Sequence, residues 1–430
     1  MLLRSGRWGA KMTTFQNGID QKSLFRWANS FGAIAAVAGL LAFVAVTWFG
    51  FGKEVGSWGG DFTWYFAGGK CFLAGSNMYA VECVGPIVTE RHGYSLLAGL
   101  SYPPHFAPFT LLTALLPIFH ASVIFYIVNV FASLFMAWIV SKTAARIFED
   151  GGKNVQLNHG WALLLVMGST GIWATVWLGQ VTVLIAICFW VAFRQIQLGK
   201  ELVPAILLAL ASVKPQIAAL VFLWVLLHGR YRILALAALT AAVLSINAFV
   251  QMGVIPALEG WIEGVTTYQS YPVNQLGNNS IMGIPSFLAI LGIDLPIWAG
   301  LAMGVAFVIF LRVKSSIDPF SLMALSTILL VQMVVFSRPT DLILIAPVFA
   351  LFWPSNRSSA FNVILFLTAV AVYCFPQQLV VKALPHAAAG HFRTLLLVAM
   401  LIAFVRQMLQ GFERFEDKAS DRPTVIIQTA

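Results

Sequence analysis

Long apolar runs alternate with short polar breaks from one end of this chain to the other. The first, Phe31 to Gly50, is long enough to cross the ~30 Å hydrocarbon layer of a bilayer and follows Arg4, Arg7, Lys11, Lys22 and Arg26. It is too long for a signal-peptide core and no convincing small-residue cleavage site follows it. An uncleaved first span with a cytoplasmic N-terminus is therefore expected. The next stretch, Phe51 to Ser101, is too polar to span and too aromatic to be a plain linker. Within it, Phe62 to Leu73 predicts a short helix lying at the interface, with Asp61 as its N-cap. Tyr102-Pro103-Pro104 then stops any helix and forces an extended or turn geometry.

Phe106 to Phe119, interrupted by Pro108 and Pro117, predicts a re-entrant or juxtamembrane piece. The runs Ala121 to Val140, Trp161 to Leu178, Val181 to Phe193, Leu202 to Val213, Ile217 to Leu227 and Ile233 to Val250 pass back and forth. They lead to a second long outer loop, Gln251 to Asp294, rich in Asn, Gly and Tyr. Pro296 to Leu311, Phe320 to Phe336, Leu342 to Trp353, Phe361 to Phe375 and Leu395 to Phe404 follow. The last two flank a third outer loop holding Lys382, His386, His391 and Arg393. The expected fold is all-α: a polytopic transmembrane helical protein of about 12 spans, with interfacial helices in the first outer loop. It is one membrane domain over residues 29–410, between a cytoplasmic segment 1–28 and a cytoplasmic, partly disordered tail 411–430.

Composition agrees with the pattern. A mean hydropathy of +0.84 with 10% charged residues excludes an ordinary soluble domain. The net charge of +9 comes from short basic clusters between apolar runs, which orient membrane proteins. It does not form a basic stripe with interleaved aromatics, so nucleic-acid binding is set aside. Most of the 26 Lys and Arg fall on the segments assigned to the cytoplasm. This puts both termini inside a cell (inner) membrane and the long loops on the periplasmic or exterior side. Of the four cysteines, Cys71 and Cys83 share the first outer loop. They would form a disulfide in an oxidising compartment or remain two half-buried thiols, the reading slightly preferred. No Cys/His spacing resembles a zinc site.

Four ionisable residues stand against apolar runs on the outer side: Asp61, Lys214, Arg338 and Asp341. A charge there is costly unless paired or used. Carboxylates and cations at a membrane face suit a reaction whose leaving group is a lipid phosphate: cations hold the developing negative charge and a carboxylate takes the proton of an attacking hydroxyl. Each residue also has a bland role. Asp61 would cap a helix, Lys214 would snorkel, Arg338 and Asp341 would pair with each other, and Gln180 and Asn279 would bond helix ends. Tyr102 would anchor at the interface, and His386 and His391 would be solvated.

In order along the chain stand Asp61-Phe62, Tyr65, Ala67-Gly68, Gly75 and Tyr79; then Tyr102-Pro103-Pro104, Gly179-Gln180, Lys214-Pro215-Gln216 and Asn279-Ser280. This ordered set resembles glycosyltransferase family 87, within the GT-C superfamily of membrane glycosyltransferases. The resemblance implies a polyprenyl-phosphate-linked sugar donor, with mannose the expected hexose, and a glycan or glycolipid acceptor. It implies an inverting single displacement with Asp61 as general base, no nucleotide and no cofactor or essential metal. Lys214 and Arg338 would bind the donor phosphate; Tyr65, Tyr102, Gln180, Gln216, Asn279 and Asp341 would bind substrate. Two departures touch the acceptor pocket. Thr182 stands where Asn often follows the Gly-Gln pair, and Arg338-Pro339-Thr340-Asp341 occupies a position where some relatives carry His. The alternative function is a polytopic lipid or solute transporter or flippase, which would place its polar site near the bilayer midplane and often show repeated halves.

Overall fold

The computed structural model describes residues 59–92, 99–150, 166–278, 281–296, 298–314 and 338–352, with isolated positions elsewhere. Segments 1–28 and 411–430, together with Asn279, Lys382 and His386, lie outside the described residues, as do most of the runs Phe320 to Phe336 and Phe361 to Phe375.

Among the described residues every element is a helix and there is no strand. Helix α1 (Gly60–Leu73) starts after Gly59, whose φ of 72° ends the incoming chain in the left-handed region, and α2 (Val81–His92) packs back on it. Cys71 and Cys83 are joined in a disulfide between these two helices, closing the preferred free-thiol reading. Helix packing brings their Cα atoms to 5.9 Å, within the usual span of such a bond. After a 3-10 turn at Pro104–Phe106 comes α3 (Ala107–Ala114), the short piece that its two prolines predicted. It lies hard against α1: a Cβ on Gly69 would sit 2.0 Å from the Thr110 carbonyl oxygen, so only glycine permits this approach. Phe62 stacks on Phe125 at 5.1 Å and Tyr65 meets Phe106 edge-on at 5.2 Å, which locks the roll of α1.

Helix α4 (Ile118–Asp150) carries the apolar span Ile118–Thr143. Ile124, Phe131 and Trp138, seven residues apart, form an exposed apolar stripe on one face, as a lipid-facing helix requires. Helices α5 (Thr170–Leu178), α6 (Thr182–Gln197), α7 (Leu202–Ala211), α8 (Pro215–Leu227) and α9 (Tyr231–Leu244) follow, with α7 packed between α6 and α9. Helix α10 (Ile246–Met252) continues α9 after a 45° bend. Among the described residues, α4 is the one straight helix long and apolar enough to cross a bilayer, and the bent α9–α10 pair is a second if counted as one span. The remaining apolar helices run 10–17 residues, below the ~20 needed for an upright crossing. The twelve spans read from hydropathy thus reduce, among the described residues, to one or two clear ones.

The stretch expected to form the second outer loop is largely helical. It holds helix α11 (Val254–Ser270), a 3-10 turn at Pro272–Asn274 and α12 (Ile284–Ile290), before α13 (Ala299–Lys314). Residues Pro339–Phe352 wind as a 3-10 helix with Pro347 inside it. This segment packs against α4, α5 and α6, and the Trp190 indole N–H donates to the Leu344 carbonyl at 2.9 Å.

Candidate active site

Asp61 stands in the first turn of α1, and Gly59, not Asp61, is the N-cap. The expected capping role is therefore corrected: no side chain caps this helix, and the carboxylate sits where the backbone dipole favours negative charge. Two contacts fix this helix start. The Gly59 amide donates to the Trp177 carbonyl at 2.8 Å, and α5 ends against it through Gly179. Gly179 has φ 66°, and a Cβ there would lie 2.6 Å from the Phe62 Cβ. The Gly-Gln pair is thus a left-handed helix stop that reverses the chain and delivers Gln180 to Asp61.

Gln180 Nε2 donates to Asp61 Oδ2. Its Oε1 accepts from Thr182 Oγ1 at 3.0 Å and from Lys214 Nζ at 3.2 Å. Lys214, placed by the Pro215 start of α8, also donates to Thr182 Oγ1 at 2.7 Å and pairs with Asp341 Oδ1 at 3.4 Å. The ammonium is buried, and its three N–H groups have three acceptors. Asp341 Oδ2 accepts the Arg338 backbone amide at 2.8 Å. The bland pairing of Arg338 with Asp341 thus exists, but through the main chain. The Arg338 guanidinium donates to Asn274 Oδ1 and lies over the Tyr268 ring, 5.7 Å from its centre.

These groups line one cavity of about 350 Å³, a size suited to a small ligand. Asp61, Tyr65, Tyr102, Gln180, Lys214, Gln216, Arg338 and Asp341 all border it, so eight of the nine predicted site residues converge; the ninth, Asn279, lies outside the described residues. Trp64, Trp261, Tyr268 and Trp298 also line it. Tyr65 and Tyr102 share a hydroxyl–hydroxyl bond of 2.9 Å. Burial first, then Tyr102 and Asp61, push the Tyr65 phenol well above its usual range. Burial and then Asp61 do the same to Tyr102. Tyr268 is pushed up to about 12, chiefly by burial. All three are therefore protonated donors at neutral pH. Burial disfavours the charge on Arg338, but Tyr268, Asp61 and Asp341 outweigh it and raise its proton affinity. Asp341 has both oxygens engaged, whereas among the described residues Asp61 has only Oδ2 engaged, in a carboxylate bordering the cavity.

A family model, glycosyltransferase family 87, matches residues 100–337, more than half of the chain. The chain belongs to glycosyltransferase family 87. It is therefore a glycosyltransferase of a membrane-associated family, with a sugar donor and an acceptor as substrates. No curated protein and no solved structure matches it. The matched stretch contains Tyr102, Gln180, Lys214 and Gln216, while Asp61, Arg338 and Asp341 reach this glycosyltransferase's cavity from either side of it.

Five contributors escaped the sequence reading or were visible in it only as a departure. Trp261, Val265 and Tyr268 are spaced four and three residues apart, a helical stripe that the length of the supposed loop concealed. Asn274 carries no motif. Thr182 was visible only as a departure, though it is buried and bonds both Gln180 and Lys214. In the stretch expected to form the third outer loop, His391 is buried, not solvated as expected. Arg393 is buried too, donating to Thr170 Oγ1 at 3.0 Å.

Proposed function

We propose that this glycosyltransferase moves a hexose, with mannose the first candidate, from a polyprenyl-phosphate carrier to a hydroxyl of an envelope glycan or glycolipid. The site would face the periplasm or exterior. The observation that carries the reading is convergence. A carboxylate with one oxygen unengaged among the described residues and two cations, from stretches far apart in the chain, border the same cavity. The Cys71–Cys83 bond supports the orientation, because such bonds persist in oxidising compartments.

In the reaction, the acceptor oxygen bonds to the anomeric carbon while the bond from that carbon to the phosphate oxygen breaks. The electron pair leaves with polyprenyl phosphate, the hydroxyl proton passes to Asp61, and a single displacement inverts the centre. Of the two cations, Arg338 is the better direct phosphate ligand: its planar fork of donors suits phosphate and it lines the cavity. Lys214 would act through its charge, or by exchanging its longest bond, the 3.4 Å one to Asp341, for the phosphate. The flat faces of Trp64, Trp261 and Trp298 would receive the apolar side of the sugar and the first units of the carrier chain.

The test is release of polyprenyl phosphate from a synthetic polyprenyl-phosphate hexose by the purified protein. Asp61→Asn should lower the rate by about 10²–10⁴-fold without lowering expression. Undiminished turnover in that variant would remove Asp61 from the mechanism. Carrier movement across vesicles without cleavage would favour a transporter instead.

A further inference from the structure

Asp61 and Lys214 do not meet. A neutral amide stands between them, with Gln180 Nε2 on the carboxylate and Oε1 on the ammonium. Thr182 closes this arrangement. Its hydroxyl donates to Gln180 Oε1 at 3.0 Å and accepts from Lys214 Nζ at 2.7 Å, the shortest of the ammonium's three bonds. With Oε1 facing two donors, the amide can present only its N–H to Asp61.

We propose that Thr182 is a positioning residue that keeps the Lys214 charge on the Asp341 side of Gln180, so that Asp61 is oriented by a neutral donor and keeps the basicity that a direct ion pair would remove. The inference rests on the reading of Asp61 as general base for its purpose, but its geometry does not. Without the Thr182 hydroxyl, one N–H of a buried ammonium and one lone pair of Oε1 lose their partners, which is costly for buried groups. Across the Gln180 amide from the ammonium stands a further acceptor, the Asp61 carboxylate. An opposite charge within reach lowers a carboxylate's pKa by about 1–3 units. Besides Lys214, the other titratable groups bordering the cavity with Asp61 are Tyr65 and Tyr102, Tyr268 on α11, Arg338 just before the 3-10 segment and Asp341 within it. Thr182 engages none of these in the structure, so its removal acts through Gln180 and Lys214.

The test is an infrared pH titration of carboxyl protonation on the full-length protein in detergent, with Asp61→Asn subtracted to isolate the Asp61 band. Thr182→Val and Thr182→Ala should each lower the Asp61 midpoint by about one pH unit, and Thr182→Ser should restore it. In a Lys214→Met background the Thr182 substitutions should leave the midpoint where it is. Either hydroxyl-free variant suffices if the other fails to fold. A midpoint unchanged or raised in the folded variant overturns the proposal, and so does the same shift persisting without Lys214. No substrate enters this titration, so it stands apart from whether the glycosyl-transfer reading holds. With a short-chain polyprenyl-phosphate hexose as probe, the acid limb of kcat/KM should follow the midpoint while KM changes less than twofold. A fall in rate with an unmoved limb would mark a merely structural role and would also overturn it.

Discussion

Lys214 and Arg393 are both buried cations brought in by chain ends of helices, and their surroundings differ in kind. Lys214 is paired with a carboxylate, bonded to two further polar side chains and placed on the wall of a cavity. Arg393 donates to the Thr170 hydroxyl and lies over the Phe392 ring, away from that cavity, and burial pushes its pKa down to about 10. Thr170 in turn donates to the Tyr373 carbonyl at 3.1 Å. Burial of charge therefore does not mark a functional site by itself. What separates the two is access to a cavity: Lys214 lines it, with a carboxylate partner that a ligand could replace, and Arg393 does not. Arg393 reads as a brace between the start of α5 and the late helices, and Lys214 as part of the site.

The largest effect expected from breaking this contrast is at Lys214. Lys214→Ala leaves Asp341 buried without its cation, a loss of about 3–5 kcal/mol for such a pair, and also weakens donor binding. Lys214→Met combined with Asp341→Asn should recover most of the stability, measured as the thermal midpoint in detergent, and none of the donor affinity. A double variant that binds the donor as the unaltered protein does would reduce Lys214 to a structural ion pair.

The next effect concerns the helix that carries Asp61. The disulfide ties the far end of α1 to α2 across a sequence separation of 12, a closure worth ~3 kcal/mol in the chain-entropy account. Cys71→Ser with Cys83→Ser should lower the thermal midpoint. Turnover of the folded protein should be retained, because Asp61 is held at the other end of the helix by Gly59, Trp177 and Gln180. Turnover lost at a temperature where the variant is still folded would show that the brace reaches the site.

How far these features were legible follows from where each sits. Asp61, Gln180, Lys214 and Asp341 interrupt apolar runs, and a polar group in such a place must be satisfied or used. Their convergence could thus be read from topology alone. The partner of each could not, because partners depend on helix roll: Phe62 against Phe125 turns Asp61 towards Gln180, and nothing local in the sequence states that. Helix α11 lies in a stretch read as a long outer loop rich in Asn, Gly and Tyr. In place, Gly260 and Gly264 are close-approach positions; a Cβ on Gly264 would lie 2.5 Å from the Leu100 carbonyl oxygen. The count of about 12 spans is, among the described residues, not confirmed, for a different reason. Runs split by Lys214-Pro215 or bent at Ser245 score as apolar segments whether or not each is a full crossing. Gly179, by contrast, was seen as a motif for the right stretch but without its physical reason, the left-handed stop beneath Phe62.

The smallest effect, and the one that tests the contrast most directly, is at Arg393. Arg393→Met keeps the length and apolar stem of the side chain while removing its donors. The Thr170 hydroxyl keeps its bond to the Tyr373 carbonyl, so only the guanidinium contacts are lost. A cost of about 1–3 kcal/mol is expected for hydrogen bonds to a buried charged group, offset in part because the guanidinium no longer has to be desolvated. The thermal midpoint should fall by a few degrees, with kcat/KM per folded molecule within twofold of the unaltered protein. If donor KM rises while the midpoint holds, Arg393 belongs to the substrate path. Burial without a bordering cavity would then be no guide to which cations of this fold are structural.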